Sequence, residues 1–178
     1  MNLKKMILAS LFIAIGFMFR LVTPPVLFGM KPDFLLSMMF VTILLNDDYK
    51  MTLLVGGVVG VLTAATTTFP GGQVANIVDK LITCQVVFLA FRLLTNKVNG
   101  QLKVIIISFL GTILSGCIFL TTAGLLFGLP GGKSFTVLLM AVVIPASLAN
   151  TIISTVFYNT VVLALKRTSL YGTLYGKV

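Results

Sequence analysis

The chain contains no histidine, no glutamate and only four acidic residues, Asp33, Asp47, Asp48 and Asp79. These absences remove most of the side chains that general acid–base catalysis draws on. Neither a Ser–His pair nor a histidine-rich metal site can be built from this composition. Asp33 and Asp79 each have a lysine beside or near them, which argues for ionised carboxylates rather than a proton-sharing dyad. Cys84 and Cys117 both lie inside apolar runs, so neither a disulfide framework nor a metal site is expected. No GxxxxGK[ST] motif occurs, so the chain does not hydrolyse ATP by a P-loop mechanism. An enzyme is therefore not expected, and neither is a cofactor held by this chain.

Charge is scarce as well. Only 10% of the 178 residues are charged and 58% are hydrophobic, with a mean hydropathy of +1.12. A soluble domain carries about a quarter charged residues, so lipid is the expected solvent. The length suits one integral membrane domain spanning 1–178. The net charge of +9 is read as a topology signal, not as a nucleic-acid surface. The start MNLKKMILASLFIAIG has the charged and apolar parts of a signal peptide. Gly16–Arg20 follows where a small-residue cleavage site would stand, so it is expected to remain as the first membrane helix.

Stretches of about 20 mostly apolar residues mark spanning helices. They predict six, at roughly 3–22, 32–45, 51–68, 74–95, 103–128 and 135–165. The second reaches only about 21 Å against a ~30 Å hydrocarbon core. The preceding loop, 23–31, is thus expected to dip into the membrane beside a cavity. Nine basic residues (Lys4, Lys5, Lys50, Arg92, Lys97, Lys103, Lys166, Arg167 and Lys177) fall on one side. Four (Arg20, Lys31, Lys80 and Lys133) fall on the other. The excess places both termini in the cytoplasm, N-in and C-in.

Three connections then lie outside: TPPVLFGMKPD, TTFPGGQVANIVDK and LFGLPGGKS. Each Pro-Gly-Gly is expected to end a helix and free the backbone for close approach. Lys31-Pro32-Asp33 places proline at the favoured first helical position and an acid in the first turn. Gln73, Asn76, Asp79, Lys80 and Thr83 follow i, i+3, i+4 spacing, which predicts a shared helix face. An ionisable residue within the membrane is by default a functional-site hypothesis. Asn150 needs a partner in lipid and is expected to face the same cavity. The competing reading is that these charges form structural ion pairs between hairpins. The hydroxyls of helix 5 (Ser108, Thr112, Ser115 and Thr122) and the Gly56, Gly60, Thr63, Thr67 series of helix 3 read as helix packing. Helix 1 carries no polar stripe, only the small pair Ser10 and Ala14.

The combination GMKPDF (29–34) with TTTFPGGQ…N..DK (66–80), on a six-helix basic chain of this size, resembles the tryptophan-uptake (TrpP-like) family. That family looks similar to the substrate-binding S components of energy-coupling-factor (ECF) transporters. The likeness covers essentially the whole chain. It implies an all-α, S-component-like bundle in the plasma membrane of a bacterium that captures an aromatic amino acid, L-tryptophan, from outside. Import would then need a transmembrane coupling protein and a pair of cytoplasmic ATPases. Helix 1 would dock the coupling protein through an alanine-xxx-alanine pattern, here changed to Ser10-xxx-Ala14.

The residues suit such a ligand. Lys31 or Lys80 can meet a carboxylate, and Asp33 or Asp79 an ammonium. Thr67, Gln73, Asn76 or Asn150 can accept from an indole N–H, and Phe28, Met30 and Phe69 offer apolar walls. Burying ~200 Å² of indole is worth roughly 5 kcal/mol before ordering costs. Two other readings compete. A stand-alone secondary carrier would transport tryptophan or another apolar amino acid without ATP. A structural or assembly subunit would bind no small molecule.

Overall fold

The computed structural model describes residues 3–24, 32–95, 98–129, 132 and 134–167. Their regular structure is helical throughout, with no strand among the described residues. The helices are α1 (Leu3–Val22), α2 (Phe34–Leu45), α3 (Tyr49–Ala65), α4 (Gly72–Leu94), α5 (Gly100–Phe127) and α6 (Phe135–Arg167). Six helices are thus found where six apolar segments predict them, with ends moved by a few residues. The clearest shift is at α3, which begins at Tyr49 because the Asp48 side chain caps it. That carboxylate accepts from the Lys50 and Met51 backbone N–H groups at 3.0 and 3.4 Å. At its other end α3 stops at Ala65, so Thr67 belongs to a turn and not to the helix.

The first Pro-Gly-Gly acts at the start of a helix, not at the end of one. Gly71 has φ +69° and immediately precedes α4. A Cβ there would collide with the Phe127 ring at the end of α5. Backbone conformation and close approach both require glycine at this position.

α2 is the axis of the bundle. Ten of its twelve residues are buried, and it packs against all five other helices. Its sequence, FLLSMMFVTILL, is apolar on every face, as a helix enclosed by protein should be. Around it, α3 and α4 pack closely because Gly56 and Gly60 admit the α4 backbone near Lys80 and Ile77. The main core joins Ile13 of α1, Phe40 of α2, Val59 of α3, Phe88 of α4 and Ile107 of α5.

The outside of the bundle is apolar too. Leu125, Leu93 and Leu3 are 81%, 73% and 69% exposed, an arrangement suited to lipid contact. Three helices, Leu3–Val22, Gly100–Phe127 and Phe135–Arg167, are long and apolar enough to cross a membrane. With 23 residues, α4 reaches about 35 Å. Its lower hydropathy comes from polar residues that turn inward, among them Asn76, Asp79, Lys80 and Thr83, all buried.

α6 contains an irregularity that the sequence pattern does not announce. Residues Leu139–Val143 form a π turn, in which the Ile144 N–H donates to Leu139 O. Pro145 follows and has no N–H to give, which favours such a local widening.

Candidate ligand-binding site

A cavity of about 120 Å³ lies at the end of the bundle where α1 finishes and α2 and α4 begin. One side of it is polar, formed by Arg20, Asp33, Asn76, Asp79, Lys80 and Asn150. The other is apolar and aromatic, formed chiefly by Phe69, Phe119, Leu120, Val142 and Val143. Phe69 and Phe119 meet edge-on at 5.1 Å between centroids, a favoured aromatic geometry.

The polar side is a chain of four alternating charges. Arg20 Nη1 lies 3.2 Å from Asp33 Oδ1. Lys80 Nζ lies 3.0 Å from Asp33 Oδ2 and 2.6 Å from Asp79 Oδ2. Asp79 and Lys80 are only 1% and 2% exposed. Charges so deeply buried must be paired and hydrogen-bonded, and the surrounding hydroxyls supply what the ion pairs do not. Ser115 Oγ donates to Asp79 Oδ2 at 2.8 Å, and Thr83 Oγ1 donates to Asp79 Oδ1 at 2.8 Å. Arg20 Nε donates to Thr66 Oγ1 at 2.8 Å. Two cations and two carboxylates leave the cluster without net charge.

Local structure holds each group in place. Asp33 is the N-cap of α2, its Oδ1 accepting from Leu36 N at 3.1 Å. Its own backbone N–H donates to Asn150 Oδ1 at 3.1 Å, which ties the start of α2 to the middle of α6. Arg20 stands in the last turn of α1, where the helix dipole favours a cation. Asn76 Nδ2 donates to Gly72 O one turn back. Among the described residues no cluster of His, Cys, Asp or Glu is arranged to hold a metal ion.

Of the residues singled out from the sequence, seven line this one cavity: Asp33, Thr67, Phe69, Asn76, Asp79, Lys80 and Asn150. Gln73 does not. It is exposed and lies outside the cavity wall, because at about 100° per residue it sits roughly 120° around α4 from Asp79. Met30 and Lys31, like Phe28, lie outside the described residues. Of the ion pairs in the competing reading, Asp79–Lys80 forms, at the cavity, and those that involve Lys31 lie outside the described residues; Asp33 pairs instead with Lys80 and Arg20.

Two contributors were not evident from sequence. Arg20 looked like an orientation charge on a helix without a polar stripe, yet it is 8% exposed and paired. Ser115 belonged to an apparent packing stripe, yet it bonds both Asp79 and Lys80. Its neighbour Thr112 also lines the cavity, but its hydroxyl donates to Ser108 O of its own helix. Spacing alone does not separate these two uses of a hydroxyl.

Ser10 and Ala14 are exposed on α1. They line a separate apolar groove of about 320 Å³ between α1 and α3, with Val55, Val58 and Leu62 on the facing wall.

Residues 2–166 match the family described as "Tryptophan transporter TrpP". A "Probable tryptophan transport protein" of Clostridium acetobutylicum is 50% identical over 158 residues, covering 89% of this chain and 91% of the relative. One of the same description from Bacillus subtilis is 43% identical, covering 95% and 96%. Another, from Clostridium perfringens, is 41% identical, covering 95% and 97%. No solved structure matches the chain.

Proposed function

The chain belongs to the tryptophan transporter TrpP family, and on that premise we propose that the cavity beside Asp33 and Lys80 is where it captures L-tryptophan for import. The observation that carries this reading is the pairing of a neutral four-charge cluster with an aromatic wall across one cavity. A zwitterion has no net charge, so it enters this cluster without leaving an uncompensated buried ion, the costly case. Arg20 takes the carboxylate and Asp33 the ammonium, since their side chains, at 10% and 18% exposure, are the more open members. Asp79 and Lys80 stand behind them as support. The indole lies against Phe69, Phe119 and Val143, with Asn76 or Asn150 as the acceptor for its N–H.

The cavity is near the size of a ~150 Å³ cavity that admits one benzene ring. It therefore takes the indole only in part, and the Thr66–Gly71 turn with Phe69 moves aside for the whole ligand. In the membrane the six-helix bundle spans the bilayer with the short α2 enclosed at its centre, both termini face the cytoplasm, and the cavity opens to the outside. An ATP-driven ECF-type module would dock in the groove at Ser10 and Ala14. Small exposed residues beside an apolar groove allow a partner helix to approach closely in lipid.

The test is thermal stability of the purified protein against single amino acids and two truncated analogues. L-Tryptophan at 100 times its Kd is expected to add about 2.7 kcal/mol. Tryptamine and indole-3-propionate, each lacking one charge, are expected to bind at least 100-fold more weakly. Equal binding of either analogue would remove the zwitterion clamp. Uptake by the chain alone in liposomes, without ATP, would favour a stand-alone carrier. No shift with any amino acid would favour a structural subunit.

A further inference from the structure

Three oxygens from three helices converge on the Lys80 ammonium. They are Asp79 Oδ2 on its own helix at 2.6 Å, Asp33 Oδ2 at the cap of α2 at 3.0 Å, and Ser115 Oγ of α5 at 3.1 Å. An ammonium has three N–H donors, and these three oxygens use all of them. Thr83 completes the shell by holding the far oxygen of Asp79. Two carboxylates and one hydroxyl, with Asp79 and Ser115 buried and the Asp33 side chain 18% exposed, make the all-oxygen environment that suits a hard cation. Here a lysine side chain fills it.

The charge count shows the consequence. With Lys80 in place, Arg20 and Lys80 balance Asp33 and Asp79. A zwitterionic ligand keeps that balance, whereas a zwitterion together with Na⁺ would leave one unpaired buried charge. We propose that the Lys80 ammonium is a tethered counter-cation occupying the seat of an alkali ion. Tryptophan binding then requires no soluble Na⁺, Li⁺ or K⁺, and the seat formed by Asp33, Asp79 and Ser115 accepts such an ion once the ammonium is removed. The first part rests on the proposed tryptophan site. The second part concerns only the chain itself and is read without any ligand.

The experiment compares melting temperatures of the purified protein in NaCl, LiCl, KCl and N-methylglucamine chloride at fixed ionic strength, with and without L-tryptophan. The wild-type protein is expected to melt at the same temperature in all four salts and to show the same tryptophan shift. Ligand-free Lys80→Ala, carrying two adjacent carboxylates and an open seat, is expected to melt about 4 °C or more higher in NaCl or LiCl than in N-methylglucamine chloride. Should the variant aggregate in N-methylglucamine, recovery of folded protein on purification in NaCl is the same readout. A wild-type tryptophan shift that needs Na⁺ or Li⁺ overturns the proposal. So does a Lys80→Ala protein that is indifferent to the salt or recovered folded in none of them. Absence of any tryptophan shift in every salt would count against the binding site instead, and the ligand-free comparison would still decide the seat.

Discussion

Replacing Asp33 by asparagine separates its two tasks. Asparagine caps a helix as well as aspartate does, so Leu36 N keeps its acceptor and α2 still starts at Phe34. What disappears is the negative charge between Arg20 and Lys80, at 3.2 and 3.0 Å. At an effective dielectric of about 20, each of those attractions is worth roughly 5 kcal/mol before desolvation is set against it. Breaking a buried pair costs about 3–5 kcal/mol net, and the cluster is left with one excess positive charge. For a domain of this size 1 kcal/mol moves the melting temperature by about 2–4 °C, so a fall of at least 6 °C is expected. The lost ammonium partner should also weaken tryptophan binding about 30-fold or more, at 1.4 kcal/mol per decade. The binding assay is direct, because the chain contains no tryptophan and the ligand's indole is the only one in the sample. An Asp33→Asn protein that melts within 2 °C of wild type and binds tryptophan normally would refute the reasoning. Asp33 would then be a helix cap and nothing more.

Gln73→Ala should leave tryptophan affinity within twofold of wild type, in contrast to Asn76→Ala, since only Asn76 reaches the cavity; ligand titration of both variants checks this. Gly71→Ala meets a positive φ and the Phe127 ring at once, and should lower the melting temperature by several degrees in the absence of ligand. Ser10→Leu fills the groove between α1 and α3. It should leave tryptophan binding unchanged while reducing uptake in cells that carry a coupling module, and equal uptake would place docking elsewhere.

The helical layout was legible because hydropathy follows lipid contact, and the limits of α1 fall where the apolar run does. Asn76, Asp79, Lys80 and Asn150 were legible as a group because a charge or amide inside an apolar helix has few inexpensive positions. Arg20 was not, since its partners Asp33 and Thr66 lie 13 and 46 residues away and only the packing of α1 on α2 and α3 brings them together. Gln73 misled because it satisfies a three-residue spacing while standing at the edge of the face that spacing defines. The enclosure of α2 was hidden in a different way. Its predicted extent, 32–45, looked too short for a span, and hydropathy alone does not distinguish an apolar helix surrounded by lipid from one surrounded by protein.

That enclosure bears on how the molecule is made. A twelve-residue helix of about 18 Å is a poor candidate to leave the translocation machinery for lipid by itself, and its final surroundings emerge from the ribosome much later. α6 is synthesised after the other five described helices, and it brings the Asn150 side chain that receives the Asp33 N–H. The binding end of the bundle is therefore assembled only after α6 has been made. Chains truncated before residue 150 would hold every charge of the cluster and still lack the contact that fastens the start of α2.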